Sequence, residues 1–253
     1  MVFLLKNTSF AHPCHELRIG SACEKLRDAR YTAGKFSTRA LGQPSMSSST
    51  PITIVDYDMG NLHSVRRQLE HLGARVRISA EPDEIARADK LLLPGVGHFA
   101  TAMQRLRERN LLEPLEEAAR RRAVPTLGIC LGMQLMAKTS EEGAATGLGW
   151  IDAEVVRFKV PDPIRYKVPH VGWNVLHATG PSALLRDLAP EAELYFVHAY
   201  HLRCRSEACV VAETEYAYRF PSVIEAGNLF GVQLHPEKSH EAGRVMLRNF
   251  VEL

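Results

Sequence analysis

The spacing of apolar residues changes abruptly at position 52. From there, short apolar runs typical of buried strands alternate with segments in which apolar residues recur every three or four positions, as on one helix face. Leu62, Val65, Leu69 and Leu72 form one such face, and Gly73 ends it. We predict strands at residues 52–55, 75–78, 90–93 and 125–130, and helices at residues 61–72, 82–88, 98–109 and 113–122. This alternation predicts an α/β fold with an open, mostly parallel sheet flanked by helices.

Beyond residue 140 the pattern becomes richer in short strands. We predict strands at residues 153–158, 194–197, 209–214, 222–226 and 229–234, and a closing helix at residues 241–251. Because these strands follow one another without intervening helices, we expect them to form an antiparallel or mixed extension of the sheet.

The first 45 residues show neither the helical nor the strand spacing of apolar residues. A Gly-, Pro- and Ser-rich stretch at 42–51 joins them to the first predicted strand. They hold seven Lys or Arg and three acidic residues, so a targeting peptide is one interpretation, although Glu16, Glu24 and Asp28 weaken it. Since Met46 lies just before the first strand, we favour an over-extended start. We therefore predict a disordered leader at residues 1–50 and one domain at residues 51–253.

Composition excludes several classes of protein. The chain has 253 residues, 45% of them hydrophobic and 24% charged, as in an ordinary soluble globular protein. The longest apolar run is too short to cross a bilayer, and the residues after 45 carry a net charge of −2, so we expect neither a membrane nor a nucleic-acid partner. Five cysteines without paired spacing suggest no disulfide framework, no metal site and a cytoplasmic location.

Cys130 is the first candidate for chemistry. It stands between Gly128 and Gly132, where a predicted strand turns directly into a helical pattern. A nucleophile at such a turn projects into a cleft, and the crowded backbone requires small neighbours. The N-terminus of the following helix favours a thiolate. The alternative is an ordinary buried cysteine, so the assignment depends on partners elsewhere in the chain.

Two features elsewhere in the chain supply such partners. His235 directly follows the last predicted strand, with Glu237 two residues on. A histidine held by a carboxylate can accept the thiol proton and return it to a leaving amine. Residues 94–97 (PGVG) follow the third predicted strand, where exposed backbone N–H groups could bind an anion. Together with Cys130, these features are far more specific than any one of them alone.

The elbow at 128–134 (GICLGMQ) and the later 235–237 (HPE) resemble the catalytic motifs of class I, triad-type glutamine amidotransferases. Within that family, further segments resemble the glutaminase subunits of imidazole glycerol phosphate synthases: 56–62 (DYDMGNL), 93–97 (LPGVG), 168–174 (VPHVGWN), 195–198 (YFVH) and 214–216 (TEY). The resemblance covers residues 51–253 and implies a flavodoxin-like sheet, glutamine as substrate and no cofactor or metal.

The resemblance also implies a role for each matching residue. Cys130 would be the nucleophile, with His235 and Glu237 completing a triad. The backbone of Leu131 and of the Gly95, Val96 and Gly97 segment would form the oxyanion hole. Substrate contacts fall on Gln134, Glu142, Ala199 and Tyr200, and a (β/α)₈ cyclase or synthase subunit would dock as a heterodimer partner around Asn61, Tyr195 and Lys238.

One position departs from the family pattern. A hydroxyl residue commonly precedes the tyrosine that matches Tyr200, whereas Ala199 stands there, so we expect an effect on glutamine affinity rather than on chemistry. Three alternatives remain at this point: the glutaminase subunit of another amidotransferase, a non-catalytic docking module of the same fold, and a cysteine hydrolase of γ-glutamyl peptides that needs no synthase.

Overall fold

The computed structural model describes residues 50–253, so the predicted leader at residues 1–50 lies outside the described residues apart from Thr50. Its strands are β1 Ile52–Val55, β2 Val76–Ser79, β3 Leu91–Gly95, β4 Thr126–Cys130, β5 Thr139–Ser140, β6 Ala145–Thr146, β7 Ala153–Arg157, β8 His170–Val175, β9 His177–Ala178, β10 Glu193–His198, β11 Tyr200–Cys204, β12 Val210–Tyr216, β13 Tyr218–Ala226 and β14 Leu229–Val232. Its α-helices are α1 Leu62–His71, α2 Pro82–Ala86, α3 Phe99–Glu108, α4 Leu112–Glu116, α5 Leu131–Leu135 and α6 His240–Glu252. No helix in this part of the chain is long and apolar enough to cross a membrane.

The main sheet has eight strands in the order β2-β1-β3-β4-β14-β13-β12-β9. The pairings from β2 to β14 are parallel, whereas β13, β12 and β9 continue the sheet in antiparallel register. The predicted fold class, a mostly parallel sheet with an antiparallel extension, is confirmed.

Helices cover both faces of this sheet because each has one apolar stripe to bury. On one face, α1 contributes Val65 and Leu69 and α6 contributes Phe250, while on the other α2 contributes Ile85 and α3 contributes Leu106. Each fully buried side chain of this size stabilises the fold by about 1.5–3 kcal/mol. The two cores hold the central strands, and with them the site, in fixed positions.

Two regions depart from the predicted elements. The helix expected at 113–122 divides into α4 and one turn of π-helix at Glu117–Arg121. The strands predicted at 153–158 and 194–197 form, but they do not extend the main sheet, so that expectation was wrong for both. Strand β10 pairs with β8, which was not predicted, in a separate two-stranded sheet, and β7 lies in a third sheet with β11, β5 and β6. Apolar residues alternate along β8, but Val171 and Trp173 lie on its exposed side while His170 is buried, the reverse of the usual half-buried strand.

Strand register determines where the candidate residues meet. Gly95 of β3 lies opposite Cys130 of β4, and Ile129 of β4 lies opposite Val232 of β14. All three strands are parallel, so their carboxyl ends share one edge of the sheet. Cys130 and the residues that follow Val232 therefore emerge side by side, at the edge where open α/β sheets bind ligands.

Candidate active site

Cys130 adopts a backbone conformation that L-residues rarely use. Its φ is 52° and its ψ is −108°, and it joins β4 directly to α5. Such strain persists only where the surrounding structure enforces it, and it is concentrated at functional positions. The side chain is nearly buried, and its sulfur faces a cavity at the sheet edge.

Close backbone approaches around Cys130 explain its two glycine neighbours. A Cβ on Gly132 would lie 1.7 Å from the carbonyl oxygen of Leu93, and one on Gly128 would lie 2.6 Å from the backbone nitrogen of Met133. Neither contact involves a flexible side chain, so α5 packs this closely against β3 and β4 only with glycine at both positions.

His235 and Glu237 form a buried pair beside the sulfur. His235 Nδ1 lies 2.8 Å from Glu237 Oε1, and each side chain is 2% exposed. Burial lowers the pKa of His235, but the Cys130 sulfur and the Glu237 carboxylate outweigh that effect and raise it to about 9. The imidazole therefore favours its protonated form, which is suited to stabilising a thiolate or delivering a proton.

A cavity of about 340 Å³ brings most of the predicted site residues together. Its lining includes Val96, Gly97, Cys130, Leu131, Gln134, Glu142, Ala199, Tyr200 and His235. Glu237 lies behind His235 and does not line the cavity. Nor does Gly95, which is inside β3 and within close reach of Tyr57.

Tyr57 fixes the start of the 94–97 segment. Its buried hydroxyl donates a 2.8 Å hydrogen bond to the carbonyl oxygen of Pro94. Burial, with a smaller contribution from Cys130, raises the pKa of Tyr57, so the hydroxyl stays a donor. A Cβ on Gly95 would come within 2.4 Å of that hydroxyl oxygen, which explains the glycine.

Gln134 and Glu142 each use part of their polar capacity within the protein. Gln134 Nε2 donates to the carbonyl oxygen of Tyr200 at 2.9 Å and to Gln233 Oε1 at 3.0 Å, which leaves Gln134 Oε1 for a ligand. Glu142 Oε2 accepts a 2.8 Å hydrogen bond from the backbone N–H of Phe99. The cavity thus presents an amide oxygen and an anchored carboxylate.

Two side chains at the site, Gln233 and His198, were not predicted from the sequence as site residues. Gln233 is fully buried and donates to Cys130 Sγ at 3.6 Å. His198 lines the cavity and contacts His170 at 3.2 Å, and burial lowers the pKa of these histidines to about 3 and about 4 respectively. A polar residue inside the apolar run 229–234 was the available signal for Gln233.

The residues predicted to face a partner lie at the surface near the cavity. Lys238 Nζ lies 5.7 Å from the ring centroid of Tyr195, which packs edge-on against Trp173. Trp173 in turn stacks on His240 with 5.0 Å between centroids. Asn61 is exposed and immediately precedes α1.

Within residues 50–253, no three or more His, Cys, Asp or Glu side chains are grouped in a way that could hold a metal ion. What the cavity offers is a cysteine at a strained elbow, an imidazole–carboxylate pair and hydrogen-bonding groups. This arrangement is suited to nucleophilic attack on an acyl carbon.

Comparisons with known proteins agree with that chemistry. A family model described as glutamine amidotransferase class-I matches residues 53–253. The imidazole glycerol phosphate synthase subunit HisH of Moorella thermoacetica is 47% identical, covering 80% of this chain and 95% of the relative. The subunit of the same name from Bacillus licheniformis is 46% identical, covering 79% and 94%.

Solved structures share the fold at low sequence identity. A crystal structure titled glutamine amidotransferase is 19% identical, with a TM-score of 0.62 and coverage of 79% of this chain and 97% of the other. A glutamine amidotransferase from Thermotoga maritima is 17% identical, with a TM-score of 0.54 and coverage of 76% and 77%.

Proposed function

The chain belongs to the class I glutamine amidotransferase family, and we propose that it is the glutaminase subunit of an imidazole glycerol phosphate synthase, acting in histidine biosynthesis. The relatives named for that subunit match along nearly their whole length. The supporting observation is the convergence of Cys130, at its strained elbow, with the buried His235–Glu237 pair that follows the adjacent parallel strand β14.

The proposed reaction has two steps. Cys130 sulfur attacks the side-chain amide carbon of glutamine, and its proton passes through His235 to the departing nitrogen, which leaves as ammonia. The glutamyl thioester then reacts with water, which gives up one proton through His235 to the sulfur and releases glutamate. Glu237 orients the ring and stabilises the imidazolium.

The remaining cavity groups have binding roles in this proposal. The backbone N–H of Leu131, with one from the Val96 and Gly97 segment, stabilises the oxyanion. Gln134 Oε1 and the Glu142 carboxylate hold glutamine, whose α-ammonium group suits an anchored anion. The wall at Ala199 and Tyr200 completes the enclosure.

Ammonia is lost if it is protonated or escapes, so the proposal includes a docked (β/α)₈ synthase subunit that receives it. An exposed apolar surface near the cavity supports such docking: Trp173 is 43%, Val171 56% and Val96 41% exposed. Tyr195 and Lys238 adjoin it. We propose that these residues, with Asn61, face the partner.

The test is Cys130→Ala, assayed with a cognate synthase partner and its nucleotide substrate. Glutamine-dependent turnover should disappear, whereas turnover supplied with ammonium salt should persist because the synthase active site is intact. Glutamine-dependent turnover retained by the variant would overturn the proposal. Full glutaminase activity of the isolated wild-type chain would instead favour a hydrolase independent of a synthase.

A further inference from the structure

Gln233 occupies an unusual position for an uncharged polar side chain. It follows β14, two residues before His235, and its exposed fraction is 0%. Its Nε2 donates a hydrogen bond to Cys130 Sγ at 3.6 Å. A buried amide without partners is costly, so the structure must engage both of its ends.

The other end fixes which atom faces the sulfur. Gln233 Oε1 accepts a hydrogen bond from Gln134 Nε2 at 3.0 Å, so the Gln233 amide nitrogen is directed to Cys130. Gln134 is held in turn by the carbonyl oxygen of Tyr200, which also accepts from His198 Nδ1 at 2.8 Å. Donation therefore runs in one direction from Gln134 to Gln233 to the sulfur, while the Tyr200 carbonyl oxygen accepts from both Gln134 and His198 and anchors the first amide.

His235 does not make this contact in the same arrangement. Its Nε2 is buried and has no hydrogen-bond partner, whereas its Nδ1 is engaged by Glu237. His235 is close enough to Cys130 for the sulfur to raise its pKa, but among the described residues Gln233 is the side chain that donates a hydrogen bond to the sulfur in this arrangement. A thiolate accepts such a bond more strongly than a thiol, so a fixed donor favours the ionised form.

We propose that Gln233 is a catalytic residue: its amide N–H stabilises the Cys130 thiolate and holds the sulfur in place for attack. This inference rests on the proposed function, in which Cys130 is the nucleophile. In this proposal Gln233 donates a hydrogen bond to the sulfur itself, whereas His235 transfers the thiol proton.

The experiment compares the full wild-type chain with Gln233→Met, which keeps the side-chain length and removes both polar atoms. Alkylation of Cys130 by iodoacetamide is followed by peptide mass spectrometry from pH 5 to 10. We expect the midpoint of the pH–rate profile to rise by about one unit, the size expected for one hydrogen bond to a charged group. Alkylation of Cys204 and Cys209 in the same samples should not change.

Asn249→Leu is the matched control. Asn249 is also a buried amide, but it donates to the carbonyl oxygens of Leu184 and Arg186, away from the cavity. Its loss should lower the midpoint of thermal unfolding and leave the Cys130 profile unchanged. A profile for Gln233→Met that coincides with wild type would overturn the proposal.

A second measurement needs no change at position 233. In the wild-type chain, the side-chain amide protons of Gln233 observed by NMR should shift with pH at the midpoint found for Cys130, and Cys130→Ala should abolish that shift. An amide insensitive to pH would contradict the inference even if Gln233→Met does not fold. If alkylation of Cys130 leaves wild-type glutaminase activity intact, the proposed function fails, and not the role of Gln233 alone.

Discussion

The imidazole of His235 and the carboxylate of Glu237 are joined by a 2.8 Å hydrogen bond, and only Pro236 separates the two residues in the chain. The single 3₁₀ turn Pro236–Lys238 brings the two side chains onto one side of the backbone. Because Nδ1 is fixed in this way, Nε2 is the nitrogen free to exchange a proton with Cys130 or with a leaving group.

Glu237→Gln tests the importance of this orientation. An amide at 237 can donate to Nδ1, which favours the tautomer with its proton on Nε2 and prevents His235 from acting as a base. We expect kcat for glutamine hydrolysis by the activated complex to fall by about 10²–10⁴, with a much smaller change in KM. Steady-state kinetics at saturating glutamine measure this.

Glu225→Gln is the matched control for that change. Glu225 also accepts hydrogen bonds, from Ser182 and from the backbone of Leu184, but it does not line the cavity. The kcat of the Glu225→Gln variant should remain within about twofold of wild type, as expected for a change outside the reaction centre. Equal losses in both variants would contradict the orienting role of Glu237.

Protonation of His235 provides a second prediction. Burial lowers its pKa, but Cys130 and Glu237 raise it to about 9, so the ring should stay cationic through neutral pH and titrate near pH 9. Replacing Cys130 with Ala removes a contribution that raises the pKa, so the midpoint should move to lower pH. NMR of the imidazole protons follows both titrations.

His170 and His198 serve as internal references in the same spectra. Burial lowers their pKa values to about 4 and about 3, so neither ring should titrate between pH 6 and 10. A His235 midpoint that is unchanged by Cys130→Ala would show that the sulfur does not influence the ring.

Gly132→Ala tests the close approach of the elbow to β3. The added methyl carbon would lie 1.7 Å from the Leu93 carbonyl oxygen, so strand and helix must separate. We expect the free energy of unfolding to fall by about 3 kcal/mol or more, measured by urea denaturation. Gly180→Ala meets no atom within 4 Å and should change stability by less than about 0.5 kcal/mol. Similar losses in both variants would contradict the steric explanation.

The parallel half of the fold could be predicted because strong helical and strand periods alternate there with short connections. The antiparallel sheets were harder, since β8 pairs with β10 outside the main sheet and exposes its apolar residues Val171 and Trp173 instead of burying them. The convergence of Cys130 and His235 was predictable in outline, because Cys130 ends one strand of a parallel sheet and His235 comes soon after the end of its neighbour. Gln233 was missed because orientation of its amide depends on Gln134, which is remote in sequence.

Glu142→Gln separates binding from chemistry. The amide can still accept from the Phe99 N–H, so the loop should keep its position while the cavity loses a negative charge. We expect KM for glutamine to rise about tenfold, the effect of one charge-assisted hydrogen bond, with kcat little changed. Glu141→Gln is the adjacent control: Glu141 accepts from the Arg157 N–H and does not line the cavity. A larger rise in KM for Glu141→Gln than for Glu142→Gln would contradict the assignment of Glu142 to the glutamine-binding site.

The last prediction concerns the exposed surface around Trp173. The Trp173 ring stacks on His240, at the first position of α6. Because this ring belongs to the surface proposed to meet the synthase partner, truncation to alanine removes apolar area from that interface. We expect Trp173→Ala to weaken association by about tenfold or more and to reduce stimulation of glutaminase activity by the partner. Thermal stability of the isolated chain should change little, because Trp173 is 43% exposed.

Leu253→Ser is the control for Trp173→Ala. Leu253 is 46% exposed and follows the end of α6 opposite His240, and the two ends of that helix are about 18 Å apart at 1.5 Å per residue. If both variants bind the synthase partner as tightly as wild type does, the docking surface must lie elsewhere.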